Sequence, residues 1–88
     1  MTEVNMTDRI IVYGTNWCPD CIKVRSYLDK NEVPYSWINI SKEHDARAIV
    51  EKINNGNRSV PTIVWPDGTH LVEPSIGELK EKIEKSLL

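Results

Sequence analysis

The stretch "VYGTNWCPDC", residues 12–21, joins the end of an apolar run to two cysteines, which are the only cysteines in the chain. The run "RIIVY" (Arg9–Tyr13) is continuous and β-rich, which is typical of a central strand buried on both faces. After the first cysteine, Cys21, Val24 and Leu28 recur at helical spacing. The stretch therefore predicts a buried strand that leads directly into an amphipathic helix.

A second strand and a second helix follow along the chain. "PYSWINI" (residues 34–40) has the composition of a strand. Ser41 can cap a helix with apolar residues at spacings of three and four, and Gly56 can adopt the left-handed conformation that ends it. The apolar set of this helix is Ala46, Ile49, Val50 and Ile53.

The last third of the chain predicts a hairpin and a third helix. "TIVW" and "THLV" are short strands on either side of the turn sequence Pro66-Asp67-Gly68. Ser75 and Glu78 have the spacing of a capping box at the start of the final helix. The order is βαβαββα, and a right-handed crossover makes the first two strands parallel neighbours, with the hairpin antiparallel on the other side. We expect an α/β fold with one mixed four-stranded sheet between three helices.

Size and composition limit the possible functions. The chain has 88 residues, which we assign to a single domain over residues 1–88, with about residues 1–8 as an N-terminal tail. Apolar residues make up 40%, charged residues 27%, and the net charge is −2, so nucleic acid or an anionic membrane is not an expected partner. No apolar run approaches the ~18 residues of a membrane span, and "MTEVNMTDR" has no signal-peptide pattern. We expect a cytosolic monomer.

The position of the cysteines indicates redox chemistry. A permanent disulfide is rare in the cytosol, where a C-x-x-C pair is more often catalytic or metal-binding. Cys18 falls at or just before the start of the first helix, where unpaired N–H groups and the helix dipole stabilise a thiolate. Cys21 falls in the first turn, faces the core and is close enough to attack a mixed disulfide on Cys18. Cys18 is the candidate nucleophile and Cys21 the candidate resolving thiol.

Two other interpretations of the cysteines remain. They could be an inert structural pair, although the helix-start position argues against it. They could also bind zinc together with His44 and His70, but the spacing fits no zinc-finger pattern and the two histidines are far apart in the predicted fold. We expect no metal site.

The C-x-x-C motif after a strand, in this element order, resembles the thioredoxin fold. The resemblance is closer to the glutaredoxin family and extends over nearly the whole chain. Three motifs carry it in order: "VYGTNWCPDC", "NGNRSVPT" and "DGTHL". The resemblance implies a thioredoxin fold and thiol–disulfide exchange.

The glutaredoxin resemblance also implies roles for individual residues. Cys18 would be the nucleophile, Pro19 would shape the active-site turn, and Cys21 would be the resolving cysteine. Val60-Pro61 would form a cis peptide facing the cysteines. Such a peptide presents the backbone of Val60 to an extended thiol or peptide, which could pair with it like a short added strand.

Three departures from the family pattern bear on the substrate. Thr15 stands where many glutaredoxins carry a lysine, and Asp20 stands where a tyrosine is common. The Asp20 carboxylate opposes a thiolate in part, although it suits a helix N-terminus. Near the third helix, residues 72–76 replace the Gly-Gly pair and acidic residue that hold the glutamyl end of glutathione. The combination of "NRSVPT" with the later "DGTHLVEPS" is instead similar to mycoredoxins, the actinobacterial glutaredoxin-like proteins that work with mycothiol.

Three further residues are site candidates with a structural alternative. Trp17 either packs beside the active-site turn or shapes the substrate groove. Arg58 either ends a solvated loop or provides the cation nearest to a substrate carboxylate. Ser75 caps the third helix and could also bind a carboxylate there. The candidate substrate-binding set is Thr15, Arg58, Val60, Pro61 and Ser75.

The expected activity is reduction of mixed disulfides between protein cysteines and a small thiol, mycothiol or glutathione, with no bound cofactor. One alternative is a dithiol electron donor for ribonucleotide reductase or other protein disulfides, reduced by thioredoxin reductase. An alternative of another class is an iron–sulfur carrier, in which two copies share a cluster through Cys18 and thiols from solution. Such carriers usually resemble a one-cysteine motif, and the proline after Cys18, Pro19, also argues against one.

Overall fold

The computed structural model describes residues 9–86, and its element order is the predicted βαβαββα. The strands and helices are β1 (Ile10–Gly14), α1 (Pro19–Lys30), β2 (Tyr35–Asn39), α2 (His44–Ile53), β3 (Thr62–Val64), β4 (His70–Val72) and α3 (Ile76–Ser86). The tail expected at residues 1–8 lies outside the described residues. Among residues 9–86, no helix is long and apolar enough to cross a membrane.

The four strands form one mixed sheet in the order β2-β1-β3-β4. β1 is parallel to β2, with Val12 opposite Trp37, and antiparallel to β3, with Val12 opposite Ile63. β3 and β4 form the predicted antiparallel hairpin. The expected topology is therefore confirmed: β1 and β3 are the two central strands, and β1 ends just before the turn that carries Cys18.

The sheet separates two hydrophobic clusters. On one face, α1 and α3 pack against β1 and β3; on the other face, α2 packs against the same strands. The first cluster contains Ile10, Val12, Val24, Leu28, Ile63, Trp65, Leu79 and Ile83, and the second contains Tyr13, Ile40, Ala46 and Val50. Burying a leucine or valine side chain of this kind stabilises the fold by about 1.5–3 kcal/mol. The first turn of α1 is therefore anchored to a packed core.

The start of α2 differs from the sequence prediction. Glu43, not Ser41, is the N-cap, and its side chain makes no capping hydrogen bond. Ser41 is already engaged, because its backbone N–H and its hydroxyl both donate to Asn39 Oδ1, at 2.9 and 2.6 Å. This local turn after β2 competes with capping and delays the helix. The prediction of a Ser41 cap was wrong.

The other helix ends agree better with the sequence. Gly56 follows α2 with a φ of +101°, and its N–H donates to Glu51 O, so the left-handed end is confirmed. Ser75 and Glu78 form the capping box of α3, with reciprocal hydrogen bonds of 2.8 and 3.1 Å. Ile49 is exposed and does not belong to the buried stripe of α2, which contrasts with the prediction.

Candidate active site

Cys18 is the N-cap residue of α1. Its Sγ accepts a hydrogen bond from the backbone N–H of Cys21 at 3.2 Å, and its side chain is partly exposed. Pro19 occupies the first helical position, where its missing N–H costs nothing and its fixed φ suits the helix. The sulfur therefore lies at the positive end of the helix, where a thiolate is stabilised.

Cys21 lies in the first turn of α1 and is fully buried, with 0% of its surface exposed. Burial raises the pKa of the Cys21 thiol to about 12, and the hydrogen bond to Cys18 and the charge on Cys18 raise it as well. A backbone hydrogen bond from Thr15 acts in the opposite direction. Both cysteines are free thiols, so one sulfur is accessible and the other is held protonated in the core.

The loop before β3 faces Cys18. The Val60-Pro61 peptide is cis, as expected, and the Val60 carbonyl oxygen is 3.8 Å from Cys18 Sγ. In its thiol form Cys18 can donate to this oxygen. The arrangement places backbone groups of Val60 beside the candidate nucleophile.

Hydrogen bonds on both sides hold this loop. Thr62 Oγ1 donates to Ser59 O at 2.7 Å and accepts from Asn54 Nδ2 at 3.1 Å. Beyond the cis peptide, the N–H of Glu73 donates to Pro61 O at 2.9 Å. The loop is thus attached to the end of α2 and to the end of β4, and its backbone is fixed opposite Cys18.

The turn residues have different degrees of exposure. Trp17 is 71% exposed, so most of its indole surface does not pack beside the turn. Thr15 is only 8% exposed, and its hydroxyl is buried without a hydrogen-bond partner among the described residues. Asp20 is exposed in the first turn of α1. Of these three residues, Trp17 and Asp20 are open to a substrate, whereas the Thr15 side chain lies behind the turn.

A groove of about 440 Å³ lies between the starts of α1 and α3. It contains two predicted site residues, Asp20 and Ser75, together with the ammonium group of Lys23. Its remaining lining residues are Val24, Glu73, Pro74, Ile76 and Glu78. The groove therefore combines three carboxylates with one cation.

Arg58 is not among the residues that line this groove. Its guanidinium forms an ion pair with Glu51 of α2, and its side chain is exposed. Because an exposed pair of this kind is screened by solvent and worth about 0–1 kcal/mol, Arg58 can exchange Glu51 for another carboxylate at low cost. The candidate histidines of a metal site lie apart, at the start of α2 (His44) and on β4 (His70). Within residues 9–86, no group of three or more His, Cys, Asp and Glu side chains could hold a metal ion.

Sequence patterns alone do not single out Glu73 of the groove, or Gly14 and Trp37, which lie behind the turn: a Cβ on Gly14 would lie 2.6 Å from Cys21 Sγ and 2.8 Å from Trp37 Cη2. Gly14 follows the strand directly, and a glycine there can signal a close approach. The alternation of β2 indicates that Trp37 shares a face with Tyr35, but it does not indicate what the indole contacts. Glu73 has a φ of +47°, which is uncommon for a residue other than glycine and leaves no signal in the sequence.

Comparison with known proteins shows the family to which the chain belongs. The glutaredoxin family model matches residues 10–71. Mycoredoxin 1 of Corynebacterium glutamicum is 39% identical over 75 residues, which cover 85% of this chain and 92% of that protein.

Solved structures of similar proteins have the same fold. The glutaredoxin from Archaeoglobus fulgidus has a TM-score of 0.75 at 27% identity and covers 86% of both chains. The thioredoxin-like protein BC3987 has a TM-score of 0.73 at 30% identity, covering 83% of this chain and 97% of its own. The predicted thioredoxin fold is confirmed. With a Cys-Pro-Asp-Cys sequence at a helix start and this similarity along its length, the chain belongs to the glutaredoxin family of thiol–disulfide oxidoreductases.

Proposed function

We propose that the protein acts in the cytosol and reduces mixed disulfides between protein cysteines and a small thiol, with Cys18 as the nucleophile. The observation that carries the proposal is the contrast between the partly exposed sulfur of Cys18 at the start of α1 and the buried sulfur of Cys21. The Cys18 thiolate attacks the mixed disulfide, forms a disulfide with the small thiol, and releases the protein thiolate. A second small thiol then frees Cys18.

Cys21 provides a second route to free Cys18. Burial is the largest cause of its raised pKa, but the hydrogen bond and negative charge of Cys18 also contribute. Once Cys18 is in a mixed disulfide, it no longer carries that charge, so the pKa of Cys21 falls. The pKa of Cys21 is therefore lower after Cys18 has reacted than before, although burial still raises it, and the buried sulfur does not compete for substrate in the first step.

The Val60 backbone is the proposed binding element for the substrate. Its carbonyl lies 3.8 Å from Cys18 Sγ, so a chain attached to that sulfur passes directly beside it. Pairing with the backbone of an extended peptide or thiol depends little on side chains. This suits an enzyme that repairs many proteins, and the exposed Trp17 indole offers apolar surface next to the same place.

The groove between α1 and α3 favours mycothiol over glutathione as the small thiol. Its carboxylates, from Asp20, Glu73 and Glu78, outnumber the single ammonium of Lys23. Glutathione has two carboxylates and a net negative charge, so it is repelled. Mycothiol carries its cysteine on a sugar–inositol unit, whose hydroxyls can donate to carboxylates without a charge penalty. The similarity to Mycoredoxin 1 agrees with this choice.

The test is reduction of a model mixed disulfide with mycothiol, glutathione or thioredoxin reductase as the only electron source. We expect mycothiol to support the fastest turnover. Glu73→Gln removes one negative charge from the groove and should increase the rate with glutathione about threefold while changing the mycothiol rate little. Glu84→Gln, an exposed position outside the groove, is the matched control. Equal turnover with both small thiols would contradict the preference for mycothiol.

A second candidate function is a dithiol donor for protein disulfides, reduced by thioredoxin reductase. The hydrogen bond from the Cys21 backbone N–H to Cys18 Sγ, at 3.2 Å, favours it, because it holds the Cys18 sulfur beside the residue with which it would form an internal disulfide. Turnover with thioredoxin reductase alone, at a rate matching that with mycothiol, would make this the main activity.

A further inference from the structure

Gly14 ends β1 directly behind the active-site turn, and the space around its Cα is filled from two directions. A Cβ placed there would lie 2.6 Å from Cys21 Sγ, 2.8 Å from Trp37 Cη2 and 2.9 Å from Trp37 Cζ3. These distances are shorter than van der Waals contact, so any side chain at position 14 would displace the sulfur or the indole. The sulfur of Cys21 and the edge of the Trp37 ring therefore pack against the same glycine.

Trp37 is held in this position by its own neighbours. It lies on β2 opposite Val12, on the face of the sheet that α1 covers. The guanidinium carbon of Arg25 is 4.1 Å from the centroid of the Trp37 ring, a close cation–π contact. Arg25 is one helical turn after Cys21, and such residues share a helix face.

Within the described part of the chain, no hydrogen bond from the buried guanidinium nitrogen of Arg25 competes with its contact to the Trp37 ring. Arg25 Nε is buried and has no hydrogen-bond partner among the described residues. The indole face is thus the main interaction that the structure provides for this end of the side chain. Arg25, Trp37, Gly14 and Cys21 form one packed unit that links β1, β2 and α1.

We propose that Trp37, held by Arg25, is a positioning residue for the Cys21 sulfur in resolution of the disulfide on Cys18. The inference rests on the proposed role of Cys21 as the resolving thiol. In this step the Cys21 thiolate attacks the Cys18 sulfur, the Cys18–Cys21 disulfide forms, and the bond from Cys18 to the small thiol breaks. The departing thiolate takes up the proton that Cys21 has lost. In this role Trp37 acts through Gly14 and the Cys21 sulfur, by limiting where the attacking sulfur can lie.

The test uses a mixed disulfide formed on Cys18 with a chromophoric aryl thiol. With no added thiol, release of the chromophore reports attack by Cys21 alone. The rate is divided by the thiolate fraction of Cys21, which is titrated separately in the same variant with Cys18 blocked. This limiting rate, the rate of the fully ionised sulfur, reports position, whereas the titration reports protonation. We expect Trp37→Ala to lower the limiting rate about tenfold, since freedom of the sulfur reduces its effective concentration. A fall of less than threefold would overturn the proposal.

A second variant covers the case in which Trp37→Ala does not fold. Arg25→Gln removes the cation above the ring and leaves the indole in place, so the limiting rate should fall in the same direction by about threefold. Lys30→Gln, which removes a charge from the last turn of the same helix, should leave it unchanged. Equal rates for Arg25→Gln and Lys30→Gln would also overturn the proposal.

Two further measurements separate this proposal from the role of Cys21 itself. If the unmodified protein releases no chromophore without added thiol, Cys21 is not the resolving thiol and the proposed second route fails. In a Cys21→Ser background, Trp37→Ala should leave the first attack by Cys18 on a symmetrical aryl disulfide within twofold. An equal loss in that step would show a general structural effect and would reject a positioning role for Trp37.

Discussion

The two cysteines are three positions apart in one helix turn, yet their surroundings make them different reagents. Cys18 meets a backbone N–H and solvent, whereas the Cys21 sulfur packs against Gly14 and meets no solvent. The first setting stabilises negative charge, and the second raises the pKa of the thiol. The comparison teaches that the position of a cysteine in a helix does not by itself determine its reactivity. The strand that packs beneath the helix also determines whether the sulfur is exposed or buried.

Exchanging either sulfur for oxygen should have the largest effect. Cys18→Ser should reduce both small-thiol removal and protein-disulfide reduction by roughly a thousandfold or more, because no other nucleophile is at the helix start. Cys21→Ser should leave small-thiol removal within a few fold when the small thiol is abundant, since that thiol can free Cys18 from solution. Both are measured as turnover with a mixed-disulfide peptide and with a protein disulfide.

The two serine variants together decide between the candidate functions. Loss of mixed-disulfide turnover in Cys21→Ser, with ample small thiol present, would favour the dithiol donor over the mycoredoxin-like activity. Retained turnover in Cys18→Ser would contradict the assignment of the nucleophile.

The raised pKa of Cys21 should appear as a pH-dependent difference in stability. The unfolded thiol ionises near pH 9, but the folded thiol does so only near pH 12, so the stabilising effect of keeping it neutral is complete below pH 9 and is lost as pH rises toward 12. Relative to Cys21→Ser, the free energy of unfolding of the reduced protein should fall by about 2 kcal/mol between pH 8 and pH 10.5.

Chemical denaturation of both proteins in a reducing buffer measures this difference. Other groups that titrate in this range, such as Tyr13, whose pKa is also raised by burial, are present in both and cancel. Parallel stability curves over this range would mean that Cys21 is not held neutral in the folded state.

The smallest expected effect concerns Asp20. Its charge is the last of the causes that raise the pKa of Cys21, after burial and the interactions with Cys18. Asp20→Asn should therefore lower the Cys21 pKa, and by less than Cys18→Ser does. The higher-pH step of thiolate absorbance, titrated in the unmodified reduced protein, in Asp20→Asn with Cys18 intact and in Cys18→Ser, gives the ranking. If Asp20→Asn lowered the Cys21 pKa more than Cys18→Ser does, Cys18 would not be the main charged neighbour of the Cys21 sulfur.

Local patterns predicted most of the fold. The buried strand, the helix after it and the Ser75–Glu78 capping box depend on residues within a few positions of each other, so spacing alone identifies them. The Ser41 cap failed for the same reason: an equally local acceptor, Asn39, took its hydrogen bonds. Sequence spacing alone cannot decide which of two nearby groups Ser41 will hydrogen-bond, because that depends on the backbone conformation between them.

The parts of the site that sequence could not predict join distant segments. Packing of Gly14 against Cys21 and Trp37 depends on how β1, α1 and β2 fit together. The ion pair of Arg58 with Glu51 depends on rotamers at the end of α2. By contrast, the facing of Val60 and Cys18, which are 42 positions apart, was expected from the family resemblance rather than from any spacing.

The hydrogen bonds around the Val60 loop also affect the entropy of substrate binding. Ordering one flexible backbone residue costs roughly 1–2 kcal/mol. Here Asn54, Thr62 and Glu73 already hold the loop from both sides, so a substrate that docks beside Val60 does not bear that cost. The backbone of the loop is thus fixed before a substrate arrives, and each backbone contact of the proposed substrate with Val60 would contribute to affinity without this entropic loss.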